Sequence, residues 1–277
     1  MPAQSLLIVV PTLNSHPLLP RLLASLQQQT WPHWQLLFID GPSGAQHRQW
    51  LQHCCAAEPR CRWVEQDPAE PGIFGAMNQG FAAAGPADWL LFWGSDDWAA
   101  SPTVLAAAMA ALPGLPDLLV CSGRYVAADG QLSRPTAFHP TAFHPMAFRP
   151  LAGSHSQGRL DAAAYRRALW LGSTPPHQAT LVGPGARRHL ARYAPGFRLS
   201  ADLDYFLQLS RHRDLQVQCL DLELVHMAAG GISGQQTQRR LQEVRHAYRR
   251  AFGGLWWFPF LARYARRLAS LVEARLK

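Results

Sequence analysis

Charge is scarce in this 277-residue chain: Asp, Glu, Lys and Arg make up 16%, and the acids are the rarer, 18 Asp+Glu against 26 Lys+Arg, a formal +8. That deficit of acid suits anionic partners such as nucleotide diphosphates, lipid phosphates, a membrane surface or nucleic acid. The five cysteines (Cys54, Cys55, Cys61, Cys121 and Cys219) are an odd set without paired CxxC spacing, which argues against a disulfide framework or structural zinc and for reduced thiols. No apolar run approaches the ~20 residues of a spanning helix. The start, MPAQSLLIVVPTLN, has no basic n-region and too short an apolar stretch for a secretory leader. The expectation is a cytoplasmic protein, in contact with the inner face of a membrane if with any. The turn after the first apolar run reads PTLNS, without GxGxxG, which argues against an NAD(P)-dependent oxidoreductase. Nucleic acid is not expected as a partner, because the arginines concentrate in the C-terminal third rather than beside a reading motif.

Apolar residues are abundant at 48%, enough for a substantial core. Leu6 to Val10 is a continuous apolar run closed by Pro11, as in a strand buried on both faces. Leu19, Leu22, Leu23 and Leu26 recur at helical spacing. Strands are then expected at Trp34–Ile39, Arg62–Glu65, Trp89–Trp93 and Leu118–Ser122, with helices at 46–55, 72–84 and 103–112 between them. Alternation of this kind predicts an α/β fold with a mostly parallel, doubly wound, Rossmann-like sheet. Ligands bind such sheets beyond the carboxyl ends of the strands. Thr12 and Asn14 follow strand one, Asp40 follows strand two, and Asp96-Asp97 follow strand four, so three strands bring polar groups to one rim.

The later half is less regular. Residues 135–150 read PTAFHPTAFHPMAFRP, and proline at every fifth position forbids a regular helix. An exposed insertion is expected, with His139 and His144 as repeat-derived solvent histidines. Helices are expected at 187–193 and from Asp202 to about Ser210, and a strand at Leu215–Leu224 ahead of His226 and the flexible Gly230–Ser233. Residues 255–277 combine aromatics with an apolar stripe (Leu261, Tyr264, Leu268, Leu271, Val272) opposite Arg263, Arg266 and Arg267. This basic amphipathic helix suits an anionic lipid surface, its own domain, or a second copy in a homodimer. The expected division is a domain at 1–235, with a nucleotide-binding half at 1–122 and an acceptor half at 123–235, followed by a helical segment at 236–277.

Sugar transfer from a nucleoside diphosphate requires a cation against the departing diphosphate, a carboxylate to take the acceptor proton, and a polar pocket for the nucleoside. Mg²⁺ and Mn²⁺ prefer oxygen ligands, so one or two carboxylates at a strand end suffice. Asp96-Asp97 meets that need, although Asp also favours turns and helix N-caps.

Six stretches carry a resemblance in the right order: VVPTLNS (9–15), LLFIDGPS (36–43), PGIFGAMNQGFAAA (71–84), LLFWGSDDW (90–98), HQATLV (177–182) and GFRLSADLDYFLQL (196–209). Over roughly residues 5–233 the chain resembles the family-2 glycosyltransferases of GT-A fold, particularly short bacterial members that build surface polysaccharides. The resemblance implies an inverting transfer from a nucleotide-sugar donor, UDP-linked by default, to a saccharide or polyprenyl-lipid-linked acceptor, with Mn²⁺ or Mg²⁺. It implies that Pro11, Thr12, Asn14 and Asp40 cradle the nucleotide, and that Met77 and Asn78 close on its diphosphate side. Asp97 would be the direct metal ligand, Asp96 the ribose partner, Asp202 the catalytic base and His177 an acceptor-side residue. His226 falls where some relatives supply a further metal contact. Three positions depart from the family pattern: Ala45 and Gly75 where it has Asp, and Gln79 where Lys is usual. They leave open a non-catalytic nucleotide-sugar-binding or assembly protein derived from such an enzyme.

Overall fold

The computed structural model describes residues 5–138 apart from 113, 115 and 134, residues 158–230, and residues 237–275, of which 267–275 are described as helix without their side chains. Its first half follows the expected alternation: β1 (Leu6–Thr12), α1 (Leu19–Gln27), β2 (Trp34–Asp40), α2 (Ala45–Ala57), β3 (Cys61–Glu65), α3 (Ile73–Ala83) and β4 (Trp89–Phe92). β1 lies between β2 and β4 and β3 flanks β2, all parallel. Leu6, Ile8 and Val10 pack with Phe38, Leu91 and the α1 stripe Leu19, Leu22 and Leu26 on one face. Leu7, Val9, Ile39 and Phe92 pack with Met77 and Phe81 of α3 on the other. Burial on both faces is why these strands read as unbroken apolar runs. Pro11 lies inside β1 rather than ending it. β4 stops at Phe92, opposite Val9, so position 11 has no neighbour on that side to need its missing N–H.

The second half contains β5 (Asp97–Ala99), α4 (Val104–Ala110), β6 (Leu118–Val126), β7 (Gly158–Leu160), α5 (Ala162–Trp170), β8 (Thr180–Val182), α6 (Pro184–His189), α7 (Ala201–Leu209), β9 (Val217–Ala228), α8 (Thr237–Phe252) and α9 (Trp257–Arg275). The strand order is β3-β2-β1-β4-β8-β6-β9-β5, with β7 beside β9. β1 to β4, β6 and β9 share one direction, and the three-residue strands β5, β7 and β8 run against them. The sheet is mostly parallel and its helices cover both faces, as the sequence predicts. Three-residue strands carry no readable period, which is why β5, β7 and β8 went unpredicted. α5 was also unpredicted, although Asp161 caps it by accepting from the Ala164 amide at 2.8 Å. The helix expected at 187–193 lies at Pro184–His189, started by a proline in its first turn.

The expected boundary at 235 does not separate the packing. α8 buries Val244, Ala247 and Tyr248 in the same core as Leu203, Phe206 and Leu207 of α7. Arg250 of α8 pairs with buried Asp204. Glu243 accepts from three consecutive amides ahead of α7, those of Arg198, Leu199 and Ser200, at 3.0, 2.8 and 3.0 Å. Of the 135–150 insertion, residues 135–138 are described, with Phe138 packed on Tyr165. His139, His144, Gly231–Ser233 and the side chains of Leu268, Leu271 and Val272 lie outside the described residues. Among the described residues, no helix is long and apolar enough to cross a membrane.

Candidate active site

The ends of β1, β2 and β4 are tied together by side chains. Thr12 Oγ1 and Ser43 Oγ donate to Asp40 Oδ1 at 3.0 and 2.6 Å, and His47 Nε2 lies 3.0 Å from the same oxygen. Burial holds the His47 imidazole below its ordinary pKa, although Asp40 pulls it upward. Asn14 takes a left-handed conformation (φ 50°), its amide donates to Ser43 Oγ at 2.9 Å, and its Oδ1 accepts from the Gly44 amide at 2.8 Å. Asp40 is 1% exposed, so its carboxylate faces inward and fixes this loop, while Asn14 lies at the surface. Ser95 joins the third strand end by donating to the Pro11 carbonyl at 3.1 Å and sharing a hydrogen bond with Ser15 Oγ at 2.8 Å. The sequence reading missed His47, though a signal existed: it shares the buried α2 stripe of Leu51 and Cys54.

Gly94 to Asp97 form a tight turn. The Gly94 amide donates to Asp97 Oδ2 at 2.6 Å, and a Cβ on Gly94 would lie 2.7 Å from Asp96 Oδ1 and 3.3 Å from Asp97 Oδ2. Only glycine lets both carboxylates fold back over this position. Asp97 is 3% exposed. Burial pushes its carboxyl up to about 8, with the neighbouring Asp96 charge adding to the effect and the Gly94 amide opposing it. Among the described residues its Oδ1 accepts no hydrogen bond. A buried carboxylate with a spare oxygen, a second carboxylate beside it and no cation paired with it among the described residues fits a hard divalent ion.

His226 does not join this pair. In the antiparallel β5–β9 register Asp97 faces Met227 and Trp98 faces His226, which puts Asp97 and His226 on opposite faces. His226 Nε2 instead bonds Glu223 Oε1 at 2.7 Å, and Glu223 also takes Arg124 Nε at 2.5 Å.

Asp202, in the first turn of α7, lines a cleft of about 450 Å³ together with Thr136, Thr174, His177, Gln178, Phe206, Met227, Arg263 and Arg266. It is the one acid among the described lining residues. Asp204, two positions on, is 1% exposed and bound to Arg250 and Gln208. His177 stacks on Phe92 at 5.7 Å, and its Nε2 shares a 2.7 Å hydrogen bond with the Tyr193 hydroxyl. Burial lowers the His177 pKa, with the Asp202 charge acting the other way, so the ring is neutral at physiological pH. The Gln178 carbonyl accepts from Trp93 Nε1 at 3.0 Å, which fastens this loop to the end of β4. Met227 closes the circuit: it lines the cleft and sits cross-strand from Asp97.

Met77 and Asn78 lie elsewhere. Met77 is 5% exposed, in the core beneath the sheet. Asn78 clasps the Tyr193 backbone, accepting from its amide at 2.7 Å and donating to its carbonyl at 3.3 Å, and also reaches Glu70 Oε2 at 3.1 Å. Its role here is to hold the residue that orients His177. The departures at 75 and 79 secure the same region. A Cβ on Gly75 would meet the Glu70 carbonyl at 1.8 Å, and Gln79 accepts from the Asp67 amide at 2.8 Å while donating to the Glu65 carbonyl at 3.2 Å.

Comparison with known proteins bears on the family and the fold. The family model described as glycosyl transferase family 2 matches residues 7–170. PGL/p-HBAD biosynthesis glycosyltransferases of Mycobacterium bovis and Mycobacterium tuberculosis are 33% identical over 97 residues, 35% of this chain and 37% of the relative. The aligned stretch thus spans little more than a third of those relatives. Among solved structures, residues 1–349 of S. aureus TarS superpose with TM-score 0.65 at 14% identity, covering 94% of this chain and 71% of that one. Mannosyltransferase PcManGT from Pyrobaculum calidifontis, in complex with GDP-Man and Mn²⁺, gives TM-score 0.59 at 14% identity, covering 98% of this chain and 75% of that one. At such identities the structural likeness speaks for the fold.

Proposed function

The chain belongs to glycosyl transferase family 2, and from that premise we propose that it moves a sugar from a UDP-linked donor to a saccharide or lipid-linked acceptor, with inversion and with Mn²⁺ or Mg²⁺. The supporting observation is that two carboxylates of different character have Met227 in common: buried Asp97 in its glycine turn lies cross-strand from it, and Asp202 lines the cleft that Met227 also lines. Asp97, with Asp96 beside it, would hold the cation, which when bound neutralises the charge that grows on the departing diphosphate. Pro11, Thr12, Asn14 and the loop fixed by Asp40 form the rim for the nucleoside. Asp202 takes the proton of the acceptor hydroxyl as that oxygen attacks the anomeric carbon from the face opposite the diphosphate. The bond to the diphosphate breaks with its electron pair leaving on the phosphate oxygen, and a single displacement inverts the centre. His177, oriented by Tyr193 through Nε2 and made a weaker base by burial, can hydrogen-bond the acceptor while Asp202 takes the proton.

A panel of nucleotide sugars with Mn²⁺ or Mg²⁺, read by diphosphate release, tests this reading. Turnover with at least one donor, abolished by chelation, is the expected result. Calorimetry showing no affinity for any sugar nucleotide would end it. Binding without turnover toward any acceptor would favour the non-catalytic alternative.

The C-terminal segment supports contact with an anionic membrane surface. Leu255, Trp257, Phe258 and Leu261 are 60, 50, 37 and 57% exposed. The guanidinium groups of Arg245 and Arg249 lie 4.9 and 5.8 Å from the Trp256 ring centre, which sets positive charge beside the apolar patch. Vesicles containing phosphatidylglycerol should sediment the protein, and Trp257→Ser with Leu261→Ser should weaken that binding about tenfold. Equal sedimentation of both proteins would remove the membrane role.

A further inference from the structure

Away from the cleft, the end of α6 and the turn after α7 bring three metal-ligating side chains together. His189 closes α6, and His212 and Asp214 lie in the turn between α7 and β9. One ligand atom of each lies within 4.8 Å of the other two. The two imidazoles stack with ring centres 4.3 Å apart, and His189 Nε2 is 3.5 Å from Asp214 Oδ2. Buried Asp117, just ahead of β6, fixes both segments. Its carbonyl accepts from the Gly183 amide, ahead of α6, at 2.8 Å, and its Oδ2 accepts from the Gln216 amide, beyond Asp214, at 2.8 Å. A Cβ on Gly185 would lie 1.6 Å from Asp117 Oδ1, so glycine there lets α6 seat against this carboxylate. The backbones that carry the three side chains are therefore held in place by a group that is not one of them.

A bare ion pair does not account for this arrangement. The Asp214 side chain is 76% exposed, and such a surface pair is worth at most about 1 kcal/mol. Burial, with His189 and Arg211 adding to it, holds the His212 imidazole below its ordinary pKa against the pull of Asp214. That favours the unprotonated ring, the form that binds metal.

We propose that His189, His212 and Asp214 form a transition-metal site, taking zinc by preference, that clips the end of α6 to the turn between α7 and β9. Two imidazoles and a carboxylate are a donor set for zinc rather than for Mg²⁺ or Mn²⁺, and three protein ligands leave a fourth position for water. A tetrahedral ion with bonds of about 2.1 Å spaces its ligands about 3.4 Å apart. The His189–Asp214 separation already matches that edge. None of the three residues lines the cleft, and Asp202 lies at the opposite end of α7, so the site is separate from the Asp97 turn and does not depend on the transferase reading.

The test is calorimetry on the untagged full chain, titrated with ZnCl₂ or MnCl₂ in excess MgCl₂, which fills oxygen sites without competing for imidazoles. Zn²⁺ should bind at least about a hundredfold tighter than Mn²⁺. His189→Ala with His212→Ala should lower zinc affinity by about a hundredfold, and Asp214→Asn by about tenfold. Zinc at about a hundred times its Kd should raise the melting temperature of the unaltered chain by about 5 °C, and chelation should reverse the rise. Co²⁺ in place of zinc should give visible d–d bands without a thiolate-to-cobalt charge-transfer band, which separates this site from Cys54, Cys55 and Cys61. If the double histidine variant fails to fold, Asp214→Asn, at an exposed position, still decides. The proposal is overturned if no zinc binds, if the variants bind zinc as the unaltered chain does, if bound zinc leaves the melting temperature unchanged, or if the cobalt complex shows thiolate charge transfer.

Discussion

Asp202→Asn is expected to lower sugar transfer by about a hundredfold to ten-thousandfold, with donor affinity changed less than about twofold. The amide is nearly isosteric but cannot take the acceptor proton. Among the described lining residues no other group is placed to replace it: Asp204 is buried against Arg250, and burial weakens the basicity of His177, whose Nε2 is engaged by Tyr193. The substitution also removes a negative charge from the first turn of α7, a loss of about 0.3–1 kcal/mol in helix stability, too small to mimic the catalytic effect. Melting temperature and UDP titration separate the two contributions. Full transfer rate in the Asn variant would show that another group is the base.

Asp97→Ala should abolish cation-dependent turnover, by at least about a hundredfold, because the charge on the leaving diphosphate then goes unbalanced. The unaltered protein should reveal the same group through pH. Asp97 is raised from 3.8 to about 8 by burial, so the cation-free fold prefers it protonated. Its contribution to stability is therefore present at low pH and is lost as pH rises from the ordinary value toward about 8. A bound cation reverses that loss and displaces the proton. Mn²⁺ affinity should thus strengthen about tenfold per pH unit below about 8 and level off above it, with about one proton released per ion. Calorimetry in buffers of different ionisation enthalpy counts that proton, and a flat pH profile would exclude Asp97 as the ligand. Gly94→Ala gives an independent check. Its methyl would lie 2.7 Å from Asp96 Oδ1, so the carboxylates must swing aside while the fold survives, and Mn²⁺ affinity should fall about tenfold.

Much of this arrangement was legible before any coordinates. β1, β2 and β4 announce themselves because burial on both faces leaves no polar position to break the run, and ligand-side residues of a parallel sheet follow the strand ends. Thr12, Asp40, Asp97 and Asp202 are singled out as candidates that way or by motif order. What escaped depends on contacts distant in sequence. Asn78 looks like a ligand residue until Tyr193, 115 positions later, takes both ends of its amide. His226 looks like a metal ligand until the β5–β9 register turns it away, and a shift of one residue would have reversed that outcome. The inward aim of Arg263 and Arg266 follows from the absence of a side chain at Gly172, which no reading of α9 alone could show.

Glu243 has a consequence for where phosphate can bind. The amides of residues 198–200 converge on its carboxylate and form an anion-holding nest like those that cradle phosphates in other proteins. Here the chain supplies the guest itself, from a helix beyond the expected domain boundary. The nest is filled before any substrate arrives, so the amides ahead of α7 offer no second anion site two residues from Asp202.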